Sequence, residues 1–173
     1  MRQGADKQLE GAYLALLAEH GRIAAAVSRL YTPPGEDAVD LEQEIRLQWW
    51  RSLAGFAGRS KASTWMYQVA LHTALTFLRR GKRRPRPAPL EDAGNVAAPT
   101  PPPGGVEQRR SQALHAALAR LEPGDRALAY LMLEGCGADE VAKVAGISAN
   151  AAGVRLHRVR ARLKALLAGE EER

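Results

Sequence analysis

The clearest pattern of apolar and polar positions lies near the end of the chain, in residues 137–167. Apolar residues recur there at helical spacing in two stretches that Gly146 separates. A glycine at such a break suits a tight turn between two helices, and the hydroxyl of Ser148 can cap the second helix. The pattern predicts a helix-turn-helix, the arrangement whose second helix enters the DNA major groove.

Positive charge is concentrated on the second of these predicted helices. Its apolar side is formed by Ala152, Leu156, Val159 and Leu163. Its basic residues are Arg155, His157, Arg158, Arg160, Arg162 and Lys164. Opposite the apolar side, the helix would present Asn150, Val154, His157 and Arg158 to a groove. The same pattern also fits an ordinary helical hairpin with a solvated basic face, so DNA binding needs support from the rest of the chain.

Helical patterns also dominate the first eighty residues, whereas strand patterns are scarce. Residues 5–30 predict either one long helix or two helices broken near Gly21. Further helices are predicted from Glu36 to about Leu53 and from about Ser63 to Arg80.

The composition changes sharply over residues 81–106, which are rich in Pro, Gly and Ala and nearly free of large apolar side chains. Such a segment cannot bury a core. We therefore predict an all-α protein of two small helical domains, residues 1–80 and 107–173, joined by a flexible Pro-rich linker over residues 81–106.

Charge and cysteine content narrow the class of protein further. The 173 residues carry a formal net charge of +6 and give a sequence pI of about 9.9, as expected of a protein that binds nucleic acid. The single cysteine, Cys136, excludes an internal disulfide and suits a reducing compartment. Because no apolar run has membrane-spanning length and no secretory leader opens the chain, we expect a cytoplasmic protein without membrane insertion.

Motifs for catalysis are absent from the sequence. The four histidines are scattered and have no metal-ligand spacing, either among themselves or with Cys136. No phosphate-binding glycine loop and no nucleophile motif occurs. We therefore expect no enzyme activity, no catalytic residue, no metal and no cofactor.

The predicted helix Glu36–Leu53 has two sides of different chemistry. One side is apolar and consists of Leu41, Ile45, Trp49 and Leu53. The other combines carboxylates, an amide and an apolar residue, namely Asp40, Gln43, Glu44 and Leu47. That mixture suggests a protein-docking surface. Trp50 lies beside the second side, but we expect it to be a core residue.

Several segments together resemble the bacterial extracytoplasmic-function (ECF) sigma factors of RNA polymerase. The stretch DAVDLEQEIRLQWWRSL is similar to the region 2.2 helix of the family, with its D-x-x-D-L-x-Q-E signature. The stretch STWMYQVALHTALTFLRR is similar to regions 2.3 and 2.4. LHAALARLEPGDRALAYLMLEG and GISANAAGVRLHRVRARL resemble region 4. The resemblance covers nearly all of the chain outside the linker, in the order and spacing of the family.

The resemblance implies three binding surfaces. Contacts to the β′ clamp helices of the polymerase would fall to Asp40, Leu41, Gln43, Glu44 and Leu47. The −10 element, with an unstacked base, would be bound by Lys61, Tyr67, Gln68, His72, Arg79 and Arg80. The −35 element would be read by Ser148, Asn150, Gly153, Val154, Arg155, His157 and Arg158. We expect Trp65 to anchor the core rather than to stack on a DNA base.

The chain departs from the family in its recognition helix. Where many members carry Thr, Val, Lys and Ser, this chain has Ala151, Ala152, Gly153 and Val154. Our hypothesis is that close approach of the backbone to DNA at Gly153 replaces a side-chain contact. Gln68 and His72 also differ from the Arg and Asn that are frequent in the family. The promoter sequence that other family members recognise therefore cannot be assigned to this chain.

As a whole, the resemblance implies a non-catalytic sigma factor that binds RNA polymerase core enzyme and directs promoter recognition and transcription initiation. Its partners would be the β′ clamp helices, the β flap, promoter DNA and an anti-sigma factor. Two alternatives come from other classes. One is a helix-turn-helix transcriptional regulator that does not bind polymerase, and the other is a protein-only helical adaptor.

Overall fold

The computed structural model describes residues 2–32, 35–83 and 105–171, and in those ranges the chain is helical without any strand. The helices are α1 (Arg2–His20), α2 (Arg22–Tyr31), α3 (Glu36–Leu53), α4 (Ala62–Arg83), α5 (Val106–Ala119), α6 (Pro123–Leu133), α7 (Ala138–Ala145) and α8 (Ala149–Glu171). The predicted all-α fold class is confirmed.

A glycine separates the first two helices. The backbone N–H of Gly21 donates to the carbonyl of Leu17 at 2.9 Å, and a Cβ added at Gly21 would lie 2.5 Å from that same oxygen. Only a residue without a side chain fits so close an approach. Of the two possibilities predicted for residues 5–30, one long helix or two helices broken near Gly21, the structure has the two helices.

Helix α4 continues to Arg83, three residues beyond its predicted end. Helix α5 begins at Val106. The remainder of the predicted linker, residues 84–104, lies outside the described residues.

The core of the first domain lies between α2, α3 and α4. Leu41, Ile45 and Trp49 of α3 are fully buried, as the helical pattern predicted, and Val27 of α2 and Met66 of α4 are buried with them. The indole Nε1–H of Trp49 donates to the carbonyl oxygen of Met66 at 3.0 Å, so the one polar atom of this ring is satisfied inside the core.

The second domain contains the predicted helix-turn-helix in α7 and α8. Gly146 ends α7 in the left-handed conformation, with φ of 66°, a geometry that glycine adopts at no steric cost. The Ser148 hydroxyl then accepts the backbone N–H of Ala151 at 3.2 Å and caps α8. Behind the turn, Ala152, Val159 and Leu163 are buried against the other helices of the domain.

The two domains pack against each other along two seams. In the α4 seam, α4 contacts α6 and α7, Lys61 pairs with Glu140 and Tyr67 donates to Glu134. In the α2 seam, α2 contacts α5. Across this seam, Tyr31 Oη donates to Pro123 O at 2.8 Å, and Arg126 donates to Leu30 O at 3.2 Å.

Candidate nucleic-acid and protein interfaces

The outer side of α3 carries the predicted docking surface. Asp40 and Gln43 are exposed, Leu47 is 40% exposed, and Glu44 is half-buried. The amide of Gln48 donates to Glu44 Oε1 at 2.7 Å and so holds that carboxylate in place. These four side chains share one surface that has no covering element in the described part of the chain.

Leu41 does not belong to this surface. Its side chain is fully buried beneath α3, on the side of Ile45 and Trp49. The resemblance assigned Leu41 to polymerase binding, but a residue without exposed area can only support the helix that presents its neighbours. We therefore treat Leu41 as a core residue.

Trp50 was expected in the core, and that expectation is wrong. Its side chain is 38% exposed and meets the ring of Tyr13 edge-on, with centroids 5.2 Å apart. The hydroxyl of Tyr13 donates to the carbonyl of Arg46 at 2.9 Å, which fixes the ring that supports Trp50. The sequence did indicate that Trp50 belongs to the docking side of α3. Trp50 follows Gln43 by seven residues and Leu47 by three, the spacing of residues on one side of a helix.

Several residues predicted to bind the −10 element lie on one side of α4. Gln68, His72 and Arg79 follow one another by four and seven residues, so they lie on one helical side. His72 and Arg79 are exposed together with the adjacent Arg80, and Gln68 is half-buried. The result is a polar and basic strip on the surface of the first domain.

Two aromatic rings lie close to this strip. Phe56, in the loop before α4, stacks on Trp65 with centroids 4.9 Å apart and an interplanar angle of 28°. Both are half-buried, and Trp65 packs against the core, as expected. Phe56 begins the loop, residues 56–62, that the family resemblance assigns to the −10 element together with the following helix. No role was predicted for its ring; the sequence signal for one is a large aromatic in a loop otherwise made of small and polar residues.

Lys61 and Tyr67, the other two members of the predicted −10 set, are engaged by the second domain. Lys61 Nζ lies 2.7 Å from Glu140 Oε1, and this hydrogen bond and charge raise the pKa of Lys61 and lower the pKa of Glu140. Tyr67 is buried and donates to Glu134 Oε2 at 2.9 Å; burial is the main reason that its pKa is raised. The structure therefore separates these two residues from the strip on α4.

The predicted groove-facing side of α8 is open. Asn150, Val154, His157 and Arg158 are exposed, and together with Ala149 and Gly153 they line a shallow surface depression. A Cβ added at Gly153 would have no atom within 4 Å. The helix therefore presents short side chains at its start and long polar ones further along.

Arg155 lies on a different side of α8 from this set. Its guanidinium donates to Asp125 Oδ1 on α6 at 2.9 Å. Ser148 likewise uses its hydroxyl for the helix cap. In this arrangement both residues position α8, whereas the −35 prediction gave them DNA contacts.

Two family comparisons agree with this architecture of a helical first domain followed by a helix-turn-helix domain. Sigma-70 region 2 matches residues 16–84, and Sigma-70 region 4 matches residues 111–163. Among curated relatives, the ECF RNA polymerase sigma factor SigM of Mycobacterium tuberculosis (strain Erdman) is 31% identical, over 88% of this chain and 75% of that protein. SigG of Mycobacterium tuberculosis (strain CDC 1551) is 34% identical, over 74% of this chain but only 41% of that protein, so the chain spans about two fifths of its length.

Solved structures show the same fold. CnrH in complex with the cytosolic domain of CnrY superposes with a TM-score of 0.65 at 25% identity, over 92% of this chain and 90% of that one. The sigma factor RpoE of Bartonella quintana, in complex with the anti-sigma factor NepR, also gives 0.65, at 19% identity, over 94% of this chain and 98% of that one. The chain belongs to the ECF family of RNA polymerase sigma factors. No helix in the described ranges is long and apolar enough to cross a membrane.

Proposed function

We propose that this protein is a non-catalytic promoter-specificity subunit that binds RNA polymerase core enzyme and directs it to a subset of promoters. The observation that carries the proposal is the uncovered side of α3, where exposed Asp40, Gln43, Leu47 and Trp50 stand on a rigid, fully buried base. A protein that acts on polymerase in this way works in the cytoplasm.

The α3 surface suits a helical protein partner. Leu47 and Trp50 supply apolar area at its centre, while Asp40, Gln43 and Glu44 supply acceptors and donors at its rim. Protein interfaces have this anatomy, and tryptophan is enriched among the residues that dominate their affinity. We assign the β′ clamp helices of the polymerase to this surface and add Trp50 to the contact set.

The strip on α4 suits a single DNA strand. Exposed Arg79 and Arg80 can follow the phosphates, while Gln68 and His72 offer hydrogen-bonding groups to an unpaired base. The Phe56–Trp65 stack adds an aromatic wall close by. This surface would bind the −10 element after its strands separate.

The α8 surface suits the major groove of the −35 element. Asn150 can pair with adenine, Val154 can contact a thymine methyl, and Arg158 can pair with guanine or phosphate. The fixed Arg155–Asp125 pair would orient α8 for these contacts. The second domain would also meet the β flap of the polymerase, as the family resemblance implies.

An anti-sigma factor is the regulatory partner that we propose. The structures of CnrH and RpoE were determined with CnrY and the anti-sigma factor NepR, respectively. For this chain, we assign such a partner to the Leu47–Trp50 part of the α3 surface, where two large apolar side chains are exposed three residues apart on one helix.

Purified core polymerase tests the central claim. Leu47→Asp buries a charge in the contact and should weaken core binding more than tenfold, since an unpaired buried charge costs several kcal/mol. Leu133→Asp, a matched change of a 48% exposed leucine on α6, should bind like the unaltered protein. Failure of the unaltered chain to bind core at low salt would contradict the proposal and favour a regulator that acts without polymerase.

A further inference from the structure

Helix α1 borders the α3 surface at Trp50. Tyr13 of α1 meets the indole ring edge-on, with centroids 5.2 Å apart and an interplanar angle of 71°. The Tyr13 hydroxyl donates to the carbonyl oxygen of Arg46 at 2.9 Å. In an α-helix that carbonyl also accepts the backbone N–H four residues further on, which is the N–H of Trp50. Tyr13 therefore contacts both the side chain of Trp50 and the turn of α3 from which it projects.

Trp50 stands at the α1 edge of the α3 surface. Successive helical positions rotate by about 100°, which places Trp50 between Leu47 and Arg46 around the helix. The guanidinium of Arg46 lies 2.7 Å from Glu42 Oε1, so the charge at this edge is already paired. On an isolated helix, an exposed indole would move among several rotamers. Here Tyr13 restrains it from the side of α1.

We propose that Tyr13 is a positioning residue for polymerase binding, which holds the Trp50 indole in the orientation that the β′ clamp helices contact. This inference rests on the proposed function, because it takes the α3 surface as the polymerase contact. It adds a residue of α1 that lies outside the α3 signature and acts through Trp50.

Preorganisation of one side chain sets the size of the expected effect. Ordering a mobile side chain at a protein interface reduces affinity by a factor of about two to ten. Because Tyr13 already restrains the indole in the free chain, most of that loss is avoided when the partner binds. Burial raises the pKa of Tyr13, so the hydroxyl stays protonated near neutral pH and remains a donor to Arg46 O.

A double-mutant cycle on the binding of the full-length chain to purified core polymerase tests the positioning role. Tyr13→Leu should weaken binding about fivefold, and Trp50→Leu should weaken it at least as much. In the Trp50→Leu background, Tyr13→Leu should change binding by less than about 1.5-fold, because the residue that it positions is gone. A purely structural role of Tyr13, or its own direct contact with polymerase, would weaken binding equally in both backgrounds. That result would overturn the proposal.

Tyr13→Phe is the conservative variant at the same position. It keeps the aromatic ring beside Trp50 and removes only the hydroxyl that donates to Arg46 O. Core binding should therefore fall by no more than about twofold, so the ring restores most of what Tyr13→Leu loses. Equal losses in the two variants, with helical circular dichroism retained in both, would show that the ring does not position Trp50 and would likewise count against the proposal.

The free chain offers a second readout that does not involve polymerase. With 5-fluorotryptophan in place of the three tryptophans, each indole gives its own fluorine resonance, and Trp50→Phe identifies that of Trp50. Tyr13→Leu should shift the Trp50 resonance towards its position in the urea-unfolded chain. Trp65, which stacks on Phe56, is the internal control and should keep its resonance. An unmoved Trp50 resonance in Tyr13→Leu would show that Tyr13 does not restrain the indole, and the proposal would be wrong.

Failure of this inference and failure of the proposed function are distinguishable. Normal core binding by the unaltered chain, with equal effects of Tyr13→Leu in both backgrounds, would remove only the positioning role. Absence of core binding by the unaltered chain would remove the proposed function, and with it this inference, whatever the fluorine resonances show.

Discussion

Two neighbouring tryptophans of α3 differ completely in environment. Trp49 is fully buried and donates to Met66 O, whereas Trp50 is 38% exposed beside Tyr13. Successive helical positions are rotated by about 100°, so adjacent residues face different surroundings. Trp49 therefore stabilises the domain, whereas its neighbour Trp50 belongs to the binding surface.

Conservative replacement of the two tryptophans should separate these roles. Trp49→Phe loses a buried hydrogen bond and leaves a void, and we expect it to lower the free energy of unfolding by about 2 kcal/mol. Trp50→Phe should change it by less than about 0.5 kcal/mol. Urea unfolding measures both, and equal effects would contradict the environments described above.

All four tyrosines have a raised pKa, and burial is the largest cause for each; for Tyr130 the pKa is about 12. In the unfolded chain a tyrosine titrates near 10. Because the folded state holds these protons more tightly, their stabilising contribution is complete below pH 10 and is lost as pH rises through the folded pKa values.

Alkaline titration followed by tyrosinate absorbance should therefore show no ionisation near pH 10 in the folded protein. The absorbance should rise only at higher pH, together with loss of helical circular dichroism. Addition of urea should return the titration to about pH 10. A tyrosine that ionises near pH 10 without unfolding would contradict its burial.

At the scale of single elements, α8 combines a cap, a glycine and a mixed surface. Ser148 caps the start, Gly153 lies in the helix interior, and Arg155 is tied to Asp125. An interior glycine weakens a helix by about 1 kcal/mol relative to alanine. No neighbouring atom requires the small residue, since a Cβ there would meet nothing within 4 Å.

Two glycine-to-alanine changes should have opposite effects on stability. Gly153→Ala should raise the free energy of unfolding by about 1 kcal/mol. Gly146→Ala, at φ of 66°, should lower it by about 1 kcal/mol, because a Cβ is strained there. Thermal unfolding measures both.

If the backbone of α8 approaches DNA closely, Gly153→Ala should weaken −35 binding in spite of its greater stability. Unchanged affinity and selectivity for −35 DNA would remove the hypothesis that Gly153 replaces a side-chain contact. The stability gain would then be the only effect of the substitution.

At the scale of the whole molecule, polar contacts couple the two domains. The α2 seam contains Tyr31, which is buried and donates to Pro123 O, and Arg126, whose guanidinium lies over the Tyr31 ring at 5.5 Å from its centroid. Arg126 also donates to the carbonyls of Ala119 and Leu121 in its own domain. The seam thus links the end of α2 to the α5–α6 connection.

Tyr31→Phe keeps the ring and removes one hydrogen bond across the α2 seam, which is worth about 1 kcal/mol. We expect faster backbone hydrogen exchange both at the end of α2 and in the α5–α6 connection. Tyr13→Phe removes a similar bond to Arg46 O within the first domain and should leave the α5–α6 connection unchanged. Identical exchange in Tyr31→Phe and the unaltered chain would show that the bond does not couple the domains.

The sequence by itself determined the helices, the buried sides of α3 and α8 and the helix-turn-helix. These features depend on residues a few positions apart, as with Leu41, Ile45 and Trp49, or Gly146 and Ser148. The side of α8 formed by Asn150, Val154, His157 and Arg158 was predictable for the same reason.

Only the tertiary structure decided which candidate side chains are free. Lys61 and Glu140 are 79 residues apart, and Tyr67 and Glu134 are 67 apart, so no local pattern links them. Arg155 is likewise tied to Asp125, 30 residues away. Helical periodicity assigns a residue to a side of its own helix, whereas the partner on that side depends on how distant helices pack.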